Sequence, residues 1–284
     1  MKDYEIISKK LIAPMVTQFE IHIPPIARKR QAGQFVIIRT WEGGERIPLT
    51  IADANPELGS ITLISQSVGK TTYQLADMKV GQCLQDIAGP LGTPTHIAKV
   101  GKVVCVGGGV GTAPLFPITQ AMQNAGNHIT TILGARSKEL FILEDKMRQV
   151  SDDMIIMTDD GSYGEKGFVT TALQKLIDDG EKIDQVIAIG PPIMMKMVSL
   201  LTLKYDIPTV VSLNTIMIDG TGMCGGCRIS INGATKFVCV DGPEFDGHQV
   251  AWDEMLKRMG TYKKHECLAL NEYKKHHQKA EVIE

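Results

Sequence analysis

Short runs of alternating apolar and polar positions fill the first hundred residues. They fall at residues 4–8, 15–23, 34–40, 47–52, 60–67 and 83–88, and clusters of Gly and Pro separate them. A period of two buries one face of a strand. Several short strands at this spacing predict an antiparallel barrel or sandwich over residues 1–98. One helical stretch, 72–78, interrupts the series.

Near residue 100 the rhythm changes. Strand-like runs at 102–106, 129–133, 154–158, 185–189 and 209–213 alternate with helical runs at 112–124, 139–150, 168–178 and 193–204. This alternation predicts βαβ units and a parallel sheet over residues 99–215. Residues 216–250 then lose both periods and become Gly-rich. From 251 the chain is helical at first and afterwards highly charged, so 216–284 reads as a third segment.

Composition narrows the function classes. The 284 residues suffice for two domains with cores of their own. A net charge of −2 gives no global pull toward nucleic acid or an anionic membrane. No apolar run approaches the roughly 18 residues of a spanning helix. The N-terminus MKDYEIISKK lacks the apolar core of a signal peptide. The expectation is a cytoplasmic protein, in which cysteines at ligand spacing point to metal or redox chemistry. Cys83, Cys105 and Cys267 lack such spacing, and Cys105 in VVCV reads as core.

Two places carry candidate chemistry. The first is the turn after strand 102–106, with Gly107, Gly108, Gly109 and Gly111 before Thr112 and Pro114. Glycines between a strand and a helix let backbone approach a pyrophosphate, and the helix start supplies free N–H donors. The alternative is a tight turn without a ligand. Asp160 and Gly161 after the third strand, and Gly190 and Pro191 after the fourth, fall at strand C-terminal ends, where open α/β sheets bind ligands. Arg136 follows the second strand, where it suits a ribose 2′-phosphate and hence NADP, or is a surface residue.

The second place is Asp219-x4-Cys224-x2-Cys227-x11-Cys239. A plant-type [2Fe–2S] site has C-x4-C-x2-C and a later fourth Cys, so an aspartate stands where the first thiolate belongs. A zinc site closed by three Cys and an Asp is the alternative. Asp219 also suits a turn residue, with an outside ligand completing the cluster.

These parts together resemble the ferredoxin–NADP reductase superfamily. The chain's MCGGC…CVDGPEFDG is similar to the dihydroorotate dehydrogenase electron-transfer subunit group. Within that group, Asp219 most resembles the small subunits of NADH-dependent reduced ferredoxin:NADP oxidoreductases, also called sulfide dehydrogenase FAD-binding subunits. The resemblance covers nearly the whole chain. It implies an α+β two-domain fold: an antiparallel β-barrel for FAD, an α/β parallel-sheet domain for NAD(H), and a C-terminal iron–sulfur segment.

It also implies site residues. The family's flavin strand aligns with Pro48, Leu49 and Thr50, Leu49 replacing a stacking aromatic, while Arg46 falls one residue early. Ile64, Ser65, Gln66, Gly69, Thr71 and Thr72 match the second flavin patch. Asp219, Cys224, Cys227 and Cys239 would hold the cluster. The implied activity is electron transfer between NAD(H) and a partner through FAD and the cluster, in bifurcating, ferredoxin-dependent transhydrogenation. The implied partner is a larger subunit with a second flavin and [4Fe–4S] clusters, forming a heterodimer that ferredoxin meets indirectly. Electron transfer to dihydroorotate dehydrogenase, sulfide reduction, and a zinc-stapled nucleotide-binding module without enzyme activity are the other readings. Hydride transfer needs no general acid or base, so no catalytic side chain is expected.

Overall fold

The computed structural model describes the backbone of residues 1–281. The N-terminal part consists of β1 (Ile6–Ala13), β2 (Val16–His22), α1 (Pro24–Lys29), β3 (Phe35–Arg39), β4 (Arg46–Asn55), β5 (Ser60–Gln66), α2 (Lys70–Asp77) and β6 (Asp86–Leu91). The strands form an antiparallel sheet in the order β1-β2-β5-β4-β3-β6. Its two ends meet: Glu5 bridges Cys83, and Ile6 N–H donates to the Gln82 carbonyl at 2.9 Å. The sheet therefore closes as the expected barrel through the start of β1 and the segment just before β6. Alternation along β3 sorts its side chains. Val36 and Ile38 fill the barrel with Phe19, Ile21, Ile51, Ile61 and Leu63. Phe35 and Ile37 face outward yet are equally buried, in a core shared with the rest of the chain.

The second part contains β7 (Lys102–Gly108), α3 (Thr112–Asn124), β8 (His128–Ala135), α4 (Glu144–Gln149), β9 (Asp153–Thr158), β10 (Glu165–Lys166), α5 (Val169–Asp178), β11 (Gln185–Ile189), α6 (Pro192–Leu203) and β12 (Thr209–Ser212). These strands are parallel, in the order β10-β9-β8-β7-β11-β12. Strand order reverses between β7 and β11, which makes that gap the ligand crevice of an open sheet. Both faces are covered, as a parallel sheet requires. Val103 and Cys105 pack with Leu115 and Ile118 of α3 on one side. Val104 and Val106 pack with Leu173 and Val198 on the other.

One predicted helix differs. The stretch 139–150 is broken into a 3₁₀ turn, Lys138–Leu140, and the shorter α4. Leu143 takes a left-handed conformation with φ 55°, so the helix cannot run through it. The cause is tertiary: Ile142 is pulled out to pack with Ala13, Ala52 and Ile64 of the barrel and Ala113 of α3.

The remainder comprises β13 (Arg228–Ile231), β14 (Ala234–Phe237), α7 (Val238–Asp241), β15 (Glu244–Asp246), α8 (Trp252–Met259) and α9 (Lys263–Glu281). β15 pairs antiparallel with β12, so segment 216–284 returns to the nucleotide sheet. No described helix is long and apolar enough to cross a membrane.

Candidate functional site

The glycine turn sits at the strand-order reversal, and its glycines divide by task. A Cβ on Gly111 would lie 2.5 Å from the Ile189 carbonyl oxygen, and one on Gly190 would lie 3.1 Å from Gly108 Cα. Gly107 and Gly108 are similarly hemmed in by Leu133, Pro191 and Met194. These glycines let the Gly107–Gly111 and Gly190–Pro191 turns touch. Gly109 is different: its φ is 54° and a Cβ there would meet nothing within 4 Å. That open, left-handed position borders the α3 N-terminus, and Thr112 Oγ1 donates to the Gly109 carbonyl at 3.0 Å. An exposed backbone bend ahead of free helix N–H groups fits a pyrophosphate. Arg136 is exposed, and its carbonyl accepts from the Asp160 amide at 3.2 Å, joining the two neighbouring loops. Asp160 Oδ1 accepts from Ser162 N–H at 2.8 Å, and the Ser162 contact holds its carboxyl below the usual range. The Asp160 carboxylate thus shapes its own turn, beside Gly161 at φ 80°.

On the barrel, Leu49 packs with Ile47 against the interior core. Pro48 and Thr50 alternate with it and face outward, beside Ile37 and Phe35 of β3. Leu49 thus lies on the opposite face of β4 from Pro48 and Thr50, partly buried against the barrel core. Arg46 shares that outer face, but its Nε donates to the Ile218 carbonyl at 2.9 Å and its guanidinium lies 3.5 Å from Asp86.

In the second patch, Ile64 is buried between barrel and α3. Ser65 follows Ile61 and Leu63 on the same face of β5, and its buried hydroxyl has no hydrogen-bond partner. Gln66 ends β5. Thr72 Oγ1 accepts from the Val68 and Gly69 amides at 2.9 and 3.0 Å and so caps α2. Thr71 donates instead to Glu45 at 2.5 Å. A Cβ on Gly69 would meet nothing within 4 Å, so the α2 N-terminus is an open cradle. It fits a flavin-nucleotide phosphate.

The cluster loop rests on the barrel. A Cβ on Gly220 would lie 2.6 Å from Leu91 and 2.8 Å from Ile37. Cys227 and Cys239 precede β13 and follow β14, and the hairpin brings their sulfurs to 3.2 Å. That is far beyond a disulfide bond length of about 2.05 Å. The turn making this hairpin, Asn232-Gly233, has φ 48° and 75°. It is the type I′ signal for a two-residue connection, a pattern of the sequence that the expectations above did not include. Burial first, then the Cys227 neighbour, push the Cys239 thiol up to about 12. A metal centre would take both neighbouring sulfurs as thiolates, its positive charge offsetting theirs.

Backbone donors surround the sulfurs. Gly226 N–H reaches Cys224 Sγ at 3.4 Å, and Cys239 N–H reaches Cys227 Sγ at 3.5 Å. Soft sulfur ligands with N–H donors fit an iron–sulfur cluster. Asp219 folds into its own loop: Oδ1 accepts from Thr221 N–H at 3.0 Å and Oδ2 from Cys224 N–H at 2.9 Å. The Thr221 amide chiefly holds its carboxyl below the usual range. Among the described residues, no three His, Cys, Asp or Glu side chains converge on a single metal-ion position. Cys105 lies in the core and Cys83 and Cys267 are exposed.

Comparison with known proteins agrees with this geometry. Residues 214–251 match the iron–sulfur cluster binding domain of dihydroorotate dehydrogenase B, and residues 105–200 the oxidoreductase NAD-binding domain. The chain is 49% identical over 271 residues to a Thermotoga maritima homolog of the dihydroorotate dehydrogenase B (NAD(+)) electron transfer subunit, covering 95% of both chains. The chain belongs to the dihydroorotate dehydrogenase B electron-transfer subunit family. A Desulforamulus reducens member, itself the electron transfer subunit, is 33% identical over 88% of this chain and 98% of its own length. A solved structure of NADH-dependent reduced ferredoxin-NADP oxidoreductase superposes with a TM-score of 0.92 at 46% identity, covering 96% of this chain and 98% of that one. The two matched segments contain the glycine turn and the cluster loop described above.

Proposed function

We propose that the chain is the NAD(H)-side subunit of an electron-bifurcating, ferredoxin-dependent NAD(P) transhydrogenase. It is a flavin- and iron–sulfur-dependent NAD(P)H oxidoreductase that passes electrons to a larger partner. The observation that carries this reading is the seating of the cluster loop: Gly220 presses on Ile37, beside the outward face of Pro48 and Thr50. FAD, when bound, exchanges a hydride with nicotinamide and single electrons with a cluster, chemistry that belongs to the cofactors.

The protein binds and orients. Gly109 and the α3 N-terminus would take the NAD(H) pyrophosphate, with Gly107, Gly108, Gly111 and Gly190 allowing close approach and Pro191 lining the crevice. Arg136, Asp160 and Gly161 would border the ribose. Pro48 and Thr50 would line the flavin ring, and Gln66, Gly69, Thr71 and Thr72 the FAD phosphates. Asp219, Cys224, Cys227 and Cys239 would hold the [2Fe–2S] cluster. Ile37 and Leu91 pack beneath the loop at Gly220. The proposed partner is a larger subunit with its own flavin and [4Fe–4S] clusters, in a heterodimer.

The similarity to dihydroorotate dehydrogenase B electron transfer subunits supports a second reading, in which the partner oxidises dihydroorotate. Asp219 in place of a fourth cysteine favours the first. Affinity purification of the full chain from its native host tests both. The expected eluate contains a larger flavin/iron–sulfur subunit, shows flavin absorption near about 450 nm, and reduces NADP with NADH plus reduced ferredoxin. Dihydroorotate-dependent NAD reduction by the eluate, with no ferredoxin response, would establish the second reading. A colourless complex rejects both.

A further inference from the structure

Three arginines from three elements, two of them distant from the loop in sequence, converge on the backbone of the cluster loop. Arg46 of β4 donates to the Ile218 carbonyl at 2.9 Å, Arg228 of β13 to Gly225 at 3.1 Å, and Arg258 of α8 to Gly226 at 3.3 Å. In a trans peptide the carbonyl of one residue and the N–H of the next point in opposite directions. Each arginine therefore fixes the direction of one specific N–H: that of Asp219, Gly226 and Cys227 respectively. For the middle peptide the consequence is visible. Arg228 holds the Gly225 carbonyl, and the Gly226 N–H on the other side of the same plane reaches Cys224 Sγ at 3.4 Å. Glycine backbones at 225 and 226 would otherwise rotate freely.

The charges act as well as the geometry. Three cysteine ligands and Asp219 give the loop four anionic groups once a cluster is bound. Reduction adds another negative charge. Nearby cations and N–H donors to sulfur both stabilise the reduced form and raise the potential. Arg228 is exposed and its charge is screened, whereas Arg258 is partly buried under the loop, where its charge counts for more. Arg46 shares its charge with Asp86 at 3.5 Å, and Asp86 also pairs with Arg39 at 2.5 Å. Arg258 is thus the member that is both partly buried and without a carboxylate partner among the described residues, and it holds the Gly226 carbonyl of the CGGC turn.

We infer that Arg46, Arg228 and Arg258 form a positioning collar that turns the loop's N–H groups toward the cluster sulfurs and sets the cluster's potential, Arg258 contributing most. The collar rests on the iron–sulfur reading of the site. It explains why α8 lies against the loop although no ligand comes from α8. It also gives Arg46 a task at the cluster loop.

The test compares wild-type, R258Q and R258K proteins, purified anaerobically with their cluster and titrated by EPR. Iron and acid-labile sulfide are counted first. In R258Q the ratio of reduced to oxidised cluster at fixed poise should fall about tenfold, a shift of about 59 mV to more negative potential for a one-electron couple. R258K, which restores the charge, should return most of that shift. A second readout needs no cluster. Hydrogen exchange at residues 219–227 of the apo-protein should accelerate in R258Q while exchange in β7 and β11 stays at the wild-type rate. A loaded R258Q with unchanged potential overturns the collar and leaves the functional reading standing, as does an R258K as shifted as R258Q. A wild-type protein without iron and sulfide overturns the functional reading, and the collar with it.

Discussion

At the scale of single residues, the chemistry concentrates where a side chain is held by something distant in sequence. Glu244 is the clearest example outside the cofactor sites. It lies on β15, and Thr95 Oγ1, in the link between the two domains, donates to it at 2.5 Å. Gly33 of the barrel leaves the room: a Cβ there would lie 2.7 Å from the Glu244 carboxylate. Burial pushes the Glu244 carboxyl up to about 7 from an ordinary 4.5. A raised carboxyl pKa means that the folded protein holds a proton the unfolded chain has released. Its stabilising contribution is fully present below about 4.5 and is lost as pH rises through about 7, an effect of about 3 kcal/mol at most. Glu244→Gln keeps an acceptor for Thr95 and removes the titration. In urea unfolding at pH 5 and pH 8, the variant should gain on wild type by about 1–3 kcal/mol between the two conditions. An equal difference at both pH values would refute the assignment. Nothing in the sequence singled out this residue, because its environment comes from three separated stretches.

At the scale of elements, the hairpin β13–β14 decides whether the cysteines meet. Cys227 and Cys239 have eleven residues between them along the chain, and the Arg228–Phe237 register places them side by side. Register in a two-residue hairpin is set by its turn. Gly233 is open to solvent but left-handed, so a β-branched side chain there costs backbone strain rather than a clash. Gly233→Val should cost about 1–2 kcal/mol and lower the iron and sulfide content per chain. Thermal unfolding and metal analysis of the purified variant check both. Full cluster content with the expected loss of stability would mean that the loop assembles without the hairpin. The sequence was equally informative for most other elements. The turn glycines, α3 and β11 fall where periodicity puts them, because their apolar positions serve the sheet they belong to. The helix expected at 139–150 failed for the opposite reason: Ile142 belongs to the barrel contact, and local propensity yields to it.

At the scale of the whole molecule, the barrel, sheet and cluster segment are not independent. One core contains Phe35 and Ile37 of the barrel, Val104 and Val106 of the sheet, and Cys227, Val238 and Cys239 of the cluster segment. Thr93 N–H donates to the Gly242 carbonyl at 2.7 Å, and Lys146 of α4 pairs with Asp53 of β4 at 3.0 Å. A path between nicotinamide, flavin and cluster needs such fixed spacing, since electron transfer and hydride transfer both depend on position. Ile37 is fully buried at the barrel–loop contact. Ile37→Ala should destabilise the protein by about 2–4 kcal/mol and also shorten the lifetime of the cluster in air. Denaturant midpoints and the bleaching rate of the visible spectrum measure the two effects. Loss of stability with an unaltered bleaching rate would show that the barrel does not shield the loop.

The sequence by itself determined the two domain types, the glycine turn at the sheet's crevice and the ligand spacing from Asp219 to Cys239. Each of these is local: a period of two or of 3.6, or a run of residue types at short range, leaves its mark along the chain. The tertiary structure alone decided which face of β4 each side chain takes, the seating of Gly220 on Ile37, the half-buried state of Glu244 and the convergence of Arg46, Arg228 and Arg258 on one loop. Those are contacts between segments up to roughly two hundred residues apart, and they depend on how elements pack, which no short-range pattern records. Asp219 belongs to both: its spacing was written in the sequence, and its hydrogen bonds to Thr221 and Cys224 were written by the loop.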